Sequence, residues 1–146
     1  MKINKVKLHN FSSYEGNNEF DFEITDDGKN IVLIGGKNGA GKTSLFTAIK
    51  VALYGPLAYG YVAVNSHYIA KIKGLINSKA FQQETVKSEV QITLQLKEER
   101  DIRSFVITRK WDYSNQKLIE EYTVERDGKH QSRKQDKDIV LSYRLL

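Results

Sequence analysis

Apolar and polar positions change rhythm several times along this chain, and each change marks an element. In residues 2–11, Ile3, Val6 and Leu8 stand among lysines and asparagines, which predicts a half-buried strand. Phe20, Phe22 and Ile24 alternate with Asp21 and Glu23, the period of a strand with one wet face. The "NFSSYEGNN" between them has the Ser, Gly and Asn content of a turn, so the two segments should form a hairpin. "TDDGKN" predicts a second turn, with Gly28 placed for a positive φ. Residues 31–34, Ile-Val-Leu-Ile, lack polar alternation, as expected of a strand buried on both faces of a sheet.

The period then becomes helical. Leu45, Ala48, Ile49, Ala52 and Leu53 fall on one stripe and predict a helix from about 41 to about 54, stopped by Gly55 and Pro56. A second helix is expected from 66 to about 79, with Ser66 as its cap and Ile69, Ile72, Leu75 and Ile76 on one face. Gly74 weakens that helix. From 87 the period returns to two through Val90, Ile92, Leu94 and Leu96. Further strands follow over 103–110 and 117–126, separated by "KEERD" and "YSNQK", and "RDGK" reads as another turn. This is the pattern of an antiparallel meander.

With 146 residues the chain suffices for one domain with a real core. Its composition, 40% hydrophobic and 28% charged, is that of a globular protein, and no apolar run approaches the ~20 residues of a membrane span. The N-terminal "MKINKVKLHNF" lacks the apolar core of a secretory signal. The absence of cysteine excludes disulfides and thiolate metal sites and fits a cytoplasmic setting. His9, His67 and His130 match no ligand spacing and read as solvated or capping residues. The net charge of +5 favours anionic partners only weakly. More telling is "RDGKHQSRKQDK" over 126–137, where Lys129, Arg133 and Lys134 form either a solvated loop or a contact for a nucleic-acid backbone. Trp111 has two readings as well, a plug at a strand end or a platform for a base.

Four of the 10 glycines crowd into residues 35–41, directly after the most apolar short stretch. Gly36, Gly41, Lys42 and Thr43 satisfy G-x-x-x-x-G-K-[ST], the phosphate-binding P-loop. A triphosphate needs many donors converging on its oxygens, and backbone N–H groups supply them only where side chains do not block the approach. Several positions of such a loop also need φ values that glycine adopts cheaply. Gly41 opens the helix, whose positive end faces the phosphates. Lys42 places a charge between the β- and γ-phosphates, Thr43 offers a hydroxyl to Mg²⁺, and Ser44 adds a donor to the α-phosphate. The pattern arises by chance in roughly 0.5% of chains of this length, and here it sits between the predicted strand and helix that the motif requires.

The opening "VKLHNFSSY" and the run "NIVLIGGKNGAGKTSLFTAIKVALYGP" resemble the N-terminal lobe of ABC-type ATPase heads of the SMC, RecF and double-strand-break-repair class. In that class a first strand ending in NF-x-S precedes a hairpin and then I-x-G-x-NGAGKT/S. "LYGPLAYG" and "YIAKIKGLINSKA" look closer still to the DndD family, the ATPases of bacterial DNA sulfur modification (phosphorothioation). The resemblance implies an α/β P-loop NTPase fold with an antiparallel sub-sheet: residues 1–56 hairpin, P-loop strand and helix, 57–86 helical, 87–130 meander. It implies ATP and Mg²⁺ as cofactors, bound by Gly36, Lys37, Asn38, Gly39, Ala40, Gly41, Lys42, Thr43 and Ser44, with Lys42 catalytic and Thr43 on the metal. It also brings Ser12 and Ser13 to the nucleotide, although Ser12 stands where relatives often carry a basic residue.

Family heads continue after the meander with a Gln-containing loop, a long coiled coil, a signature motif and a catalytic Glu after an acidic strand. None of these is found here, and the end "DKDIVLSYRLL" starts an apolar element without a polar tail, as expected of a chain that continues. The expected partners are therefore ATP, a C-terminal lobe of the same protein, a second head in an ATP-dependent dimer, and DNA. A fragment holding half of a composite site should bind ATP and hydrolyse it slowly, because it lacks a base to position water. Two alternatives stand beside this reading: a small nucleotide or metabolite kinase, which uses the same loop, and a non-catalytic nucleotide- or DNA-binding module.

Overall fold

The computed structural model describes residues 1–24, 31–98 and 101–130. Its strands are β1 (Lys2–Phe11), β2 (Tyr14–Asp21), β3 (Lys87–Glu98), β4 (Asp101–Asp112), β5 (Ile119–Arg126) and the short β6 (Lys129–His130). Two helices, α1 (Lys42–Tyr54) and α2 (Ser66–Leu75), lie between β2 and β3 in the chain. The described strands form one antiparallel sheet in the order β2-β1-β3-β4-β5-β6. The predicted hairpin and meander are thus parts of the same sheet, joined where β1 pairs with β3.

Period-2 alternation sets the register. Phe20, Val6, Ile92, Ile107 and Val124 stand opposite one another across five strands and make one apolar row on the inner face. A shift of one residue in any strand would turn its share of that row into solvent. Helix α1 covers this face, burying Leu45, Ala48, Val51, Ala52 and Leu53 in the core that contains Val6, Leu8, Val90, Ile92 and Ile107. Each leucine, valine or isoleucine among them contributes about 1.5–3 kcal/mol on full burial, the alanines less. The opposite face carries Lys7, Glu19, Gln91 and Thr108, the polar half of the same alternation.

The ends of α1 follow local chemistry. Gly41 precedes it with φ 86, and Gly55 closes it with φ 54 while donating its N–H to the Val51 carbonyl. Pro56 then opens a 3₁₀ turn, Gly55–Tyr59. A β-carbon on Gly55 would stand 2.9 Å from the Arg109 guanidinium, so close packing reinforces the conformational demand.

Elsewhere the structure departs from the sequence pattern. Strand β2 begins at Tyr14, six residues before the predicted alternation, so the hairpin turn shrinks to Ser12 and Ser13. The buried Asn10 makes this possible: at φ 46 its Oδ1 accepts the Gly16 N–H at 2.8 Å, across a bulge in β1. The second helix is capped by Asn65, whose Oδ1 accepts the Tyr68 N–H at 2.9 Å, and not by Ser66. It also ends at Leu75, well short of 79, because Ile76 turns extended to bridge Phe11. The Ser12 N–H to Leu75 carbonyl bond and the Asn77 N–H to Asn10 carbonyl bond, 2.6 and 2.9 Å, complete that docking. Tertiary pairing overrides helical periodicity here.

Residues 31–34 differ most. They pair with no strand among the described residues and are all exposed, Ile31 by 78% and Leu33 by 92%. A strand buried on both faces needs neighbours on either side, and the sheet formed by the described residues, β2-β1-β3-β4-β5-β6, is assembled without this segment. The turn predicted at Gly28, with Arg133 and Lys134 of the basic stretch, lies outside the described residues.

Candidate nucleotide-binding site

The glycine-rich loop runs from Gly36 to the start of α1 and is exposed up to residue 40. Gly39 and Gly41 adopt φ 82 and 86, the left-handed region in which a side chain is strained. A bond from the Ala40 N–H to the Lys37 carbonyl at 3.1 Å tightens the turn between them. The Lys42 ammonium reaches back over the loop and donates to the carbonyls of Gly36 and Lys37 at 2.5 and 2.7 Å. A phosphate entering the loop would draw this ammonium off two neutral carbonyls onto a charged oxygen, a stronger charge-assisted bond.

The helix beyond the loop is electrostatically ready for an anion. Its first internal bond runs from the Leu45 N–H to the Gly41 carbonyl at 2.9 Å, so the N–H groups of Lys42, Thr43 and Ser44 have no partner within the helix. The first turn holds no acidic residue to neutralise the positive dipole end. At its far end Arg109, reaching from β4, donates Nε to the Ala52 carbonyl at 3.2 Å and so places a cation against the negative pole.

Ser12 and Ser13 sit in the hairpin turn directly beside this helix start. Ser12 Oγ lies 2.8 Å from Ser44 Oγ, and the Ser13 hydroxyl donates to the same oxygen at 3.2 Å. The turn therefore meets the loop through three hydroxyls, bringing together residues 32 and 31 positions apart. Thr43 is exposed at the same helix start, next to the loop. Among the described residues no three His, Cys, Asp or Glu side chains cluster in a metal-binding arrangement. A divalent cation here would take Thr43 as a hard oxygen donor, with the remaining positions filled by phosphate oxygens and water, as Mg²⁺ prefers. The donor set fits that chemistry.

Three features escaped the sequence reading. The first is Tyr14, whose hydroxyl donates to the Gly41 carbonyl at 3.0 Å. The second is Asn10, which shapes the hairpin through the bond described above. The third is a buried polar network behind the site. Glu120 accepts from Arg109 Nη1 at 2.5 Å, from Trp111 Nε1 at 2.6 Å and from the Tyr68 hydroxyl at 2.5 Å. Burial first, and then the Glu120 carboxylate, push the Tyr68 phenol far above its ordinary range, so it stays a donor. Trp111 is buried in the core beside Phe11, the plug of its two readings. The signal was present: alternation places Arg109 on the same face as Phe105, Ile107 and Trp111, an inward charge that needs a partner.

No helix among the described residues is long and apolar enough to cross a membrane. Comparison with known proteins places this architecture. One curated relative, the C subunit of the nuclease SbcCD from Treponema pallidum (strain Nichols), is 42% identical over 74 residues, covering 48% of this chain. The aligned region is 7% of that relative's length. The family described as AAA domain matches residues 5–144, nearly the whole sequence. The loop, the helix it opens and the antiparallel sheet beneath are those of a P-loop ATP-binding domain related to SMC/RecF-type ATPases, and the chain belongs to the AAA domain family.

Proposed function

We propose that this domain is the ATP-binding half of an SMC-like ATPase acting on DNA, in modification, restriction or repair, in which ATP drives engagement of two heads. The observation that carries the reading is the convergence of the Lys42 loop, the unopposed N-terminus of α1 and the Ser12–Ser13 turn on one point. Gly36 to Ser44 hold the phosphates, Thr43 takes Mg²⁺, and Ser12 and Ser13 approach the nucleotide from the hairpin. The bound cation would shield the phosphate charge, while Lys42 and the backbone N–H groups orient the chain of phosphates. A catalytic base and a second head come from elsewhere, so the domain alone binds ATP with little turnover. The Treponema relative is part of a nuclease, which supports a DNA role. Resemblance in "LYGPLAYG" and "YIAKIKGLINSKA" favours DNA sulfur modification as the pathway.

The test is calorimetry with Mg²⁺ and ATP. Lys42→Ala removes a charge-assisted contact of about 1.5–3 kcal/mol, so affinity should fall about ten- to a hundredfold. Equal affinities would remove the assignment, and brisk hydrolysis by the domain alone would remove the half-site argument. For DNA, the expected contact is the basic stretch containing Lys129, Arg133 and Lys134. Reversing Arg133 and Lys134 to Glu should weaken binding of unrelated duplexes by similar factors and flatten the salt slope by about 2, because two phosphates no longer release counterions. An unchanged slope would leave this stretch as solvated surface.

A further inference from the structure

We propose that Tyr14 is a positioning residue of the phosphate loop: its hydroxyl locks the Gly41–Lys42 peptide so that the Lys42 N–H faces the phosphates. This assignment rests on the nucleotide reading above and adds to it a residue outside the loop motif.

The argument begins with peptide planarity. In a trans peptide the carbonyl and the following N–H point in opposite directions, so holding the Gly41 carbonyl also aims the Lys42 N–H. Two donors hold that carbonyl, the Leu45 N–H at 2.9 Å and the Tyr14 hydroxyl at 3.0 Å. The first belongs to the opening turn of α1, and helix ends fray. Tyr14 belongs to β2, paired into the sheet at Phe11, and does not depend on that turn. Glycine before the peptide, at φ 86, leaves rotation of the plane cheap. Rotation would aim a carbonyl oxygen at the phosphate and withdraw a donor.

Three further observations fit a lock. The Tyr14 ring stands edge-on to Phe20, 5.4 Å between centroids, which fixes where the hydroxyl points. Burial raises the phenol above its ordinary range, so the proton needed for donation is retained at alkaline pH. Finally, a β-carbon on Gly41 would meet the Tyr14 oxygen at 2.7 Å and Ser13 Oγ at 2.9 Å. The turn is seated against the Gly41 backbone, and the second glycine of the motif is required for that contact as well as for its φ.

Tyr14→Phe keeps the ring and its packing on Phe20 and removes only the bond. In the intact protein, affinity for ATP with Mg²⁺ should fall roughly three- to tenfold, the effect of one hydrogen bond. The melting temperature without nucleotide should stay close to wild type. In ¹⁵N-labelled protein with ATP bound, the Lys42 amide resonance should broaden or split as its peptide samples two orientations. Tyr14→Leu, which also releases the ring, should lower affinity at least as far. Wild-type affinity in Tyr14→Phe, alongside weakened binding in Lys42→Ala, overturns the lock and leaves the nucleotide site standing. A lower affinity matched by a lower melting temperature, with the Lys42 resonance unchanged, assigns Tyr14 a purely structural role and overturns it too. If Lys42→Ala also binds like wild type, the nucleotide reading fails and the lock falls with it.

Discussion

Glu120 receives three donors in a buried place, and a carboxylate is the one side chain that accepts from all of them without offering a proton in return. Its side chain is 13% exposed and that of Arg109 8%, so both charges are largely withdrawn from water. Breaking such a pair from one side costs about 3–5 kcal/mol, far more than a surface ion pair. Glu120→Gln should therefore lose stability on that scale in urea unfolding, although it matches the shape. The amide must turn its NH₂ either to Arg109 or to the Trp111 and Tyr68 donors, and both choices oppose donor to donor. A loss under about 1 kcal/mol would mean that water enters the network. Residue chemistry of this kind is half legible in sequence. The inward placement of Arg109 and Glu120 follows from strand period, whereas the meeting of Arg109, Glu120 and Tyr68 depends on how α2 lies across β4 and β5. The glycine-rich loop and the helix it opens were legible, because the residues that shape them are neighbours in the chain.

At the scale of elements, the two helices show where local signals suffice. Helix α1 begins and ends where Gly41, Gly55 and Pro56 place its limits, since each acts on its own backbone. Helix α2 has two adjacent candidate caps, and only the conformation decides between them. Asn65 is extended, at φ −142 and ψ 175, and its side chain reaches the third helical N–H. Asn65→Ala should destabilise the protein by about 1 kcal/mol, and Ser66→Ala by much less. Thermal unfolding of the two variants separates them, and the opposite order would return the cap to Ser66. The early end of α2 was not legible at all. Periodicity continues through Ile76, yet that residue is needed against Phe11, and Asn77 beyond it donates Nδ2 to the Ser12 carbonyl at 2.7 Å. The end of α2 thus supports the same turn that meets Ser44.

Across the whole molecule, the strand reading and the sheet answer different questions. Alternation found β1, β3, β4 and β5 and their inner faces, but not that β1 stands between β2 and β3, because order in a sheet is set by long-range pairing. Residues 31–34 carry the strongest strand composition in the chain and are exposed, leaving four apolar side chains and their backbone groups to water directly before the phosphate loop. Such a segment fits a partner surface better than a solvated loop. In the proposed head, the C-terminal lobe supplies the neighbours that burial on both faces requires. Hydrogen exchange offers the test. Amides of 31–34 in the domain alone should exchange at the rates of open chain, while those of β1 and β3 are protected. In the intact protein the same amides should become protected. Leu33→Asp should cost the domain alone almost nothing, yet destabilise the intact protein by several kcal/mol, the penalty for burying an unpaired charge. Fast exchange at 31–34 in both forms would show that the apolar run faces solvent throughout, and the phosphate loop would then rest on α1 and the Tyr14 turn alone.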